Sequence, residues 1–235
     1  IHLLLDCHEH RWVDIDEASR RKMLDVVSMF ATQDTLDELG IGTVRDALAD
    51  YFFPGTSTIQ TRARYFLFVP WIYRELERKE TAAAVVAGKA RAQEMRLIQA
   101  LIAGGNAEAN GIIGRVAQQK LQRMPSNIYW VGLKTLGLRR FSGTQDQYHR
   151  SLDGFYRRKD EARFSAEADG DAPMHGSNWH PSLPKAPEDF LDTTTMELTS
   201  GEARYLKERF VIAQAQSLLA NLVKAETLSE SAHLW

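Results

Sequence analysis

The chain has 235 residues, 44% hydrophobic and 26% charged, with a formal net charge of −2; this composition excludes wholesale disorder and supports a buried core. Its lone cysteine, Cys7, cannot close an internal disulfide, and no apolar run reaches the roughly 18 to 20 residues of a membrane span, so a cytoplasmic protein is expected. The near-neutral total hides a gradient: five basic against eleven acidic residues in 1–60, eight against five in 61–111, eleven against four in 112–163, and five against eleven in 164–235.

The chain opens on Ile1 rather than Met and without the pattern of a secretory leader, so it reads as a processed product or a fragment. Helical periodicity starts at Asp16, a possible cap, and Met23, Val26, Val27 and Phe30 recur at three- and four-residue intervals. A short helix over 35–39 stops at Gly40. Thr43 is placed as the cap of a segment whose stripe is Val44, Ala47, Leu48, Tyr51 and Phe52, ended by Pro54 and Gly55. A third helix is expected over 59–68, interrupted at Pro70 and resuming over 71–79; the apolar run 65–73 reads as core. The alanine-rich stretch 82–103, closed by Gly104 and Gly105, predicts a long helix. Shorter helices are expected over 115–123, 127–136 and 145–159. Residues 165–195 carry Pro173, Pro181, Pro184 and Pro187 and read as a long loop crossing a surface. Thr199 or Ser200 then caps a last helical region with Leu206, Phe210, Leu218, Leu219 and Leu222, expected to be exposed or mobile for want of a partner beyond Trp235. No period of two is sustained. The fold class is therefore all-α.

Several constellations suggest chemistry. Asp6, Cys7, His8, Glu9 and His10 are metal-ligand types, but no second ligand pair follows at zinc-site spacing, so no metal site is assigned. Gly40-Ile41-Gly42-Thr43 lacks the Gly-Lys-Ser/Thr ending of a nucleotide loop and reads as a turn between helices. His149 and His180 are general-base types without an accompanying nucleophile motif; His180, between Trp179 and Pro181, reads as a packed anchor. No catalytic residue and no cofactor is assigned.

Two helices around Phe53-Pro54-Gly55-Thr56, the second opening Ser57-Thr58-Ile59-Gln60-Thr61-Arg62, have the outline of a helix-turn-helix. With Ile59 centred on the buried face, the opposite face carries Thr61 and Arg64 and then Tyr65, Phe68 and Ile72. Packing on both sides of a central helix is preferred, with Arg62 or Arg64 pairing with Asp46 or Asp50. The basic centre supplies the second nucleic-acid signal. Arg139, Arg140, Arg150, Arg157 and Arg158 are interleaved with Tyr129, Trp130, Phe141, Tyr148 and Tyr156, residue types that contact phosphates and stack bases. A solvated charge face over core aromatics is the competing explanation. The candidate nucleic-acid-binding residues are thus Arg62, Arg64, Arg139, Arg140, Arg150, Arg157 and Arg158.

Asp37-Glu38-Leu39-Gly40-Ile41-Gly42, Arg45-Asp46 and the string from Phe53 through Arg62 into Arg64-Tyr65-Phe66 and Pro70-Trp71 resemble a bacterial family of unknown function. The resemblance continues at Gly114-Arg115, Pro125-Ser126, Tyr129-Trp130, Gln147-Tyr148-His149-Arg150 and Asn178-Trp179-His180-Pro181. It implies no activity, a longer full-length protein, and an association with bacterial gene clusters that defend against phage. The expected organisation is an unmatched segment 1–11, a helical core domain 12–163, a Pro-rich loop 164–198 and a truncated helical extension 199–235, together an irregular multi-helix bundle. The expected function is a non-enzymatic nucleic-acid-binding or adaptor component of a defence system, with DNA or RNA and other defence proteins as partners and no membrane. The alternatives are an enzyme acting on nucleic acid, with catalytic residues partly beyond residue 235, and a structural protein-interaction subunit.

Overall fold

In the computed structural model, residues 41–104, 111–169 and 176–225 are described. They form α1 (Ile41–Phe52), α2 (Tyr65–Arg78), α3 (Ala83–Ala103), a 3-10 turn (Gln118–Lys120), α4 (Pro125–Thr135), α5 (Gln145–Asp169), α6 (Ser200–Ala213) and α7 (Leu218–Lys224). No strand occurs among them, so the all-α class holds. The chain divides into two compact units, 1–47 and 48–235. Of the first, only residues 41–47, the start of α1, are described; the helices expected over 16–31 and 35–39 and the Asp6–His10 cluster lie outside the described residues. Gly42 and Thr43 are already helical, so Thr43 is not the cap expected for α1.

The second unit is organised around α2. Every residue from Tyr65 to Tyr73 is buried, and Leu76 and Glu77 follow them inside. This corrects the expected helix over 59–68. Residues 57–64 are irregular because their polar groups find partners elsewhere: Thr61 Oγ1 donates to Gly111 O at 2.5 Å, and the Tyr129 hydroxyl both accepts from Arg62 N at 3.1 Å and donates to Arg62 O at 2.8 Å. Ile59, placed at the centre of a buried face, is 43% exposed. The helix begins at Tyr65 and runs through Pro70. A proline inside a helix costs about 3 kcal/mol, whereas burying one large apolar side chain contributes about 1.5–3 kcal/mol, and this helix buries nine aromatic and aliphatic side chains.

Around α2 pack α3 and α4, and α5 lies along α3. The turn before α2 approaches α4 closely: Gly55, at φ +76°, would bring a Cβ to 2.8 Å from Thr135 Cβ. α3 follows Ala82, which has no side-chain acceptor, and its first amide is capped from a distance by Asp153 Oδ1 of α5, 2.9 Å from Ala83 N. α4 follows Met124 in the same predicament; Asn127 Oδ1 accepts from Met124 N at 2.9 Å, and Glu94 of α3 accepts from Ser126 N at 3.2 Å. The expected helix over 115–123 shortens to the 3-10 turn, which follows Gly114 at φ +82° and opens on Gln118 at φ +40°.

The proline-rich segment does more than cross a surface. Arg139 and Trp179 form an antiparallel bridge, with Arg140 N donating to Asn178 O and His180 N to Leu138 O, each at 2.8 Å. This delivers Trp179 into the core beside Tyr73, Trp130 and Tyr148, while Leu183 and Phe190 are buried further along. Thr199 caps α6 as read from the sequence, in a reciprocal box with Glu202. The expected exposure of the last region holds only in part. Tyr205 and Leu206 are buried and Phe210 packs on the core, whereas Leu218 and Leu222 are 40% and 41% exposed.

Candidate functional site

The candidate arginines separate into two groups by what surrounds their guanidinium groups. Arg64 is buried: Nη2 lies 2.9 Å from Glu202 Oε1, Nη1 donates to Thr195 O at 2.8 Å, and the group lies over the Phe68 ring. Its partner is Glu202 rather than an acidic residue of α1. Arg139 is buried too. Its Nη2 donates to Trp130 O and its Nη1 to Gly143 O, both at 3.0 Å, and Nη1 also reaches Phe141 O. The guanidinium sits 4.3 Å from the centroid of the Trp130 ring, and burial pushes its pKa down to about 10. Both arginines hold the fold together and neither presents a charge to a partner, so they leave the candidate set. Arg139→Lys should lower unfolding stability in urea by about 2 kcal/mol, because one ammonium cannot serve carbonyls on three residues and also stack.

Arg62, Arg140, Arg150, Arg157 and Arg158 are exposed. The aromatics interleaved with them are not: Tyr129, Trp130, Tyr148 and Tyr156 are in the core and Phe141 is packed against it. Stacking of bases on those rings is ruled out by burial. One basic-aromatic stripe survives, on the side of α5 opposite Tyr148, Leu152 and Tyr156. Arg150, Arg157 and Phe164 follow one another at seven-residue spacing, so they share a side of the helix, and Phe164 is 73% exposed. Arg158 adjoins them, and Asp146 and Glu161 lie on the same side. A cleft of about 610 Å³ between α2, α3 and residues 185–192 is richer in charge, with Arg74, Arg78, Lys79, Arg96 and Lys185 against Glu75, Glu188 and Asp192, but five of these eight groups are already paired. Arg78 and Lys79 bind Glu75 at 2.8 and 3.1 Å, holding its carboxyl down at about 2, and Arg96 binds Asp192 at 2.9 Å.

Several titratable side chains of the described residues meet in a polar network absent from the sequence reading. Tyr73 is its hub: its hydroxyl accepts from Gln145 Nε2 and lies 3.3 Å from His149 Nε2, with the two rings stacked at 2°. Gln145 Nε2 also donates to Ser126 Oγ at 2.9 Å, next to the Ser126 N–H held by Glu94. A second limb joins the Tyr148 hydroxyl and Asn178 Nδ2 to Glu77 Oε1. Burial pushes the Glu94 carboxyl up to about 7 and the Glu77 carboxyl up as well, and it pushes the His149 imidazole down. Glu94 is 1% and His149 9% exposed, and the network ties α2, α3, α4 and α5 together. His180 is not part of it; its ring faces Tyr205 and Arg209 of α6. Among the described residues no group of three His, Cys, Asp or Glu side chains could hold a metal ion, and no helix is long and apolar enough to cross a membrane.

No curated protein and no solved structure matches the chain. Residues 8–233 match a family of unknown function, DUF6361, and a match of this extent means that the chain belongs to that family.

Proposed function

We propose that the chain is a non-enzymatic, cytoplasmic nucleic-acid-binding component of a bacterial defence system, and that the outward side of α5 is the part that touches the nucleic acid. The supporting observation is the exposed stripe of Arg150, Arg157 and Phe164 with Arg158 beside it. Arg150 and Arg157 are about 10 Å apart along the helix, a span of a few phosphates, and an exposed phenylalanine gives a base a face to stack on. An enzyme acting on nucleic acid is disfavoured by the enclosure of Glu94 and His149.

The full chain should bind single-stranded DNA or RNA with little sequence preference, and six or more phosphate contacts would cost about 10³-fold in affinity between 50 and 200 mM salt. Replacing Arg150, Arg157 and Arg158 together with Gln should lower the slope of log affinity against log salt by about 2 to 3. Phe164→Ala should weaken single-strand binding at every salt concentration. Absence of binding to duplex and single strands at low salt would eliminate this reading in favour of a protein adaptor.

A further inference from the structure

Three side chains that meet between α6 and the 138–140/178–180 bridge each carry a buried polar atom without a hydrogen-bond partner: His180 Nδ1, Tyr205 Oη and Arg209 Nε. Their proximity follows from the fold. Tyr205 and Arg209 are four residues apart on α6 and so share a face. The bridge fixes His180 opposite them, its ring centroid 5.7 Å from that of Tyr205 and its Nε2 in contact with Arg209 Nη1. Arginine can only donate, so Nε2 accepts and the His180 proton resides on Nδ1. The orphan atoms are therefore an imidazole N–H, a guanidinium N–H and a phenol O–H, three donors without an acceptor.

The charge around them has one dominant sign. Arg209 and Arg140 act on His180 and, with burial, hold its pKa down; Arg74 and Arg209 act on Tyr205, whose pKa burial pushes up to about 12. Glu208 is the carboxylate that acts on both rings. Arg74 also donates to the carbonyls of Leu183 and Pro184, so it is held in place. Three guanidinium groups and one carboxylate act on these two rings, an excess of positive charge that an anion would balance, and a phosphate monoester, at about −1.5 to −2, balances more of it than a carboxylate. A buried water could satisfy the donors but not the charge.

We infer that this corner binds a phosphoryl oxyanion, with Arg209, His180 and Tyr205 donating to its oxygens and Arg74 and Arg140 balancing its charge. The site shares only Arg140 with the arginines considered for nucleic acid and stands whether or not α5 contacts DNA or RNA.

The test is a proton NMR titration of the histidine rings in the full chain, in sodium phosphate and in sodium chloride of equal ionic strength, with His180 assigned by loss of its signal in His180→Gln. At about 20 mM inorganic phosphate the His180 pKa should rise by roughly one, because a bound dianion reverses the effect of Arg140 and Arg209, and the melting temperature should rise with it. Arg209→Gln should abolish both responses, and Tyr205→Phe, which keeps the packed ring, should weaken phosphate binding several-fold. A short single-stranded oligonucleotide in low-salt chloride buffer forms the second arm: a response there but not to inorganic phosphate identifies the phosphodiester backbone as the source. A His180 titration unchanged by both probes, or a response that survives in Arg209→Gln, overturns the assignment.

Discussion

Arg64→Met should lower the unfolding free energy by about 3–5 kcal/mol, while Arg64→Met combined with Glu202→Met should restore much of that loss. The guanidinium and the carboxylate are 6% and 7% exposed and 2.9 Å apart, so removal of one leaves the other charged, desolvated and unpaired. Removal of both replaces two buried charges by apolar volume. The double variant does not recover everything, because Arg64 Nη1 also holds Thr195 O and Glu202 Oε2 accepts from Thr199 N at 2.8 Å to complete the cap of α6. Urea unfolding of the wild type and the two variants checks this. A single substitution costing less than about 1 kcal/mol would show that the pair behaves as an ordinary surface bridge.

Glu94 should contribute more stability in mild acid than in alkali. Its folded pKa of about 7 lies above the ordinary 4.5, so the folded state retains the proton longer than the unfolded chain does. The corresponding stability is fully present below pH 4.5 and is lost as pH rises through 7, a change of about 3 kcal/mol. His149 works in the opposite sense: burial depresses its pKa, so its contribution is lost as pH falls below its ordinary range. A comparison of wild type with Glu94→Gln separates the two. Relative to the wild type, the glutamine variant should gain about 3 kcal/mol between pH 4.5 and pH 8.5 in urea titrations. A difference that stays constant across that range would mean that Glu94 is ionised throughout.

The helices most legible in the sequence are those whose limits are local. Gly104 ends α3 and Thr199 with Glu202 starts α6, each a signal contained within a few residues, whereas α4, expected from 127, begins two residues earlier on Pro125. The start of α2 was misplaced because Thr61, Arg62 and Gln60 satisfy their polar groups through Gly111, Tyr129 and Ile128, dozens of residues away. Charge counting could not distinguish Arg139 from Arg140, although their neighbouring side chains point respectively into carbonyls and into solvent. The burial of Trp179 is not legible in a segment read as a surface-crossing loop, because the bridge that carries it inward pairs it with Arg139, forty positions upstream. Glu94 did leave a trace: it falls on the stripe Val86, Ala90, Leu97 and Leu101 of an otherwise apolar face, where an acid is out of place unless something buried needs it.

Asp153 and Glu94 make the ends of two helices conditional on other helices. The first amide of α3 is satisfied only while α5 is docked, and the second residue of α4 only while α3 is in place. Detachment of α5 therefore uncaps α3, and a loosened α3 withdraws the acceptor from α4, so partial opening spreads along the chain of dependencies instead of stopping at one element. A peptide cut to residues 82–103 would begin on Ala82 and Ala83 with nothing to accept from its leading amides, and it would fray from that end even though its composition favours a helix.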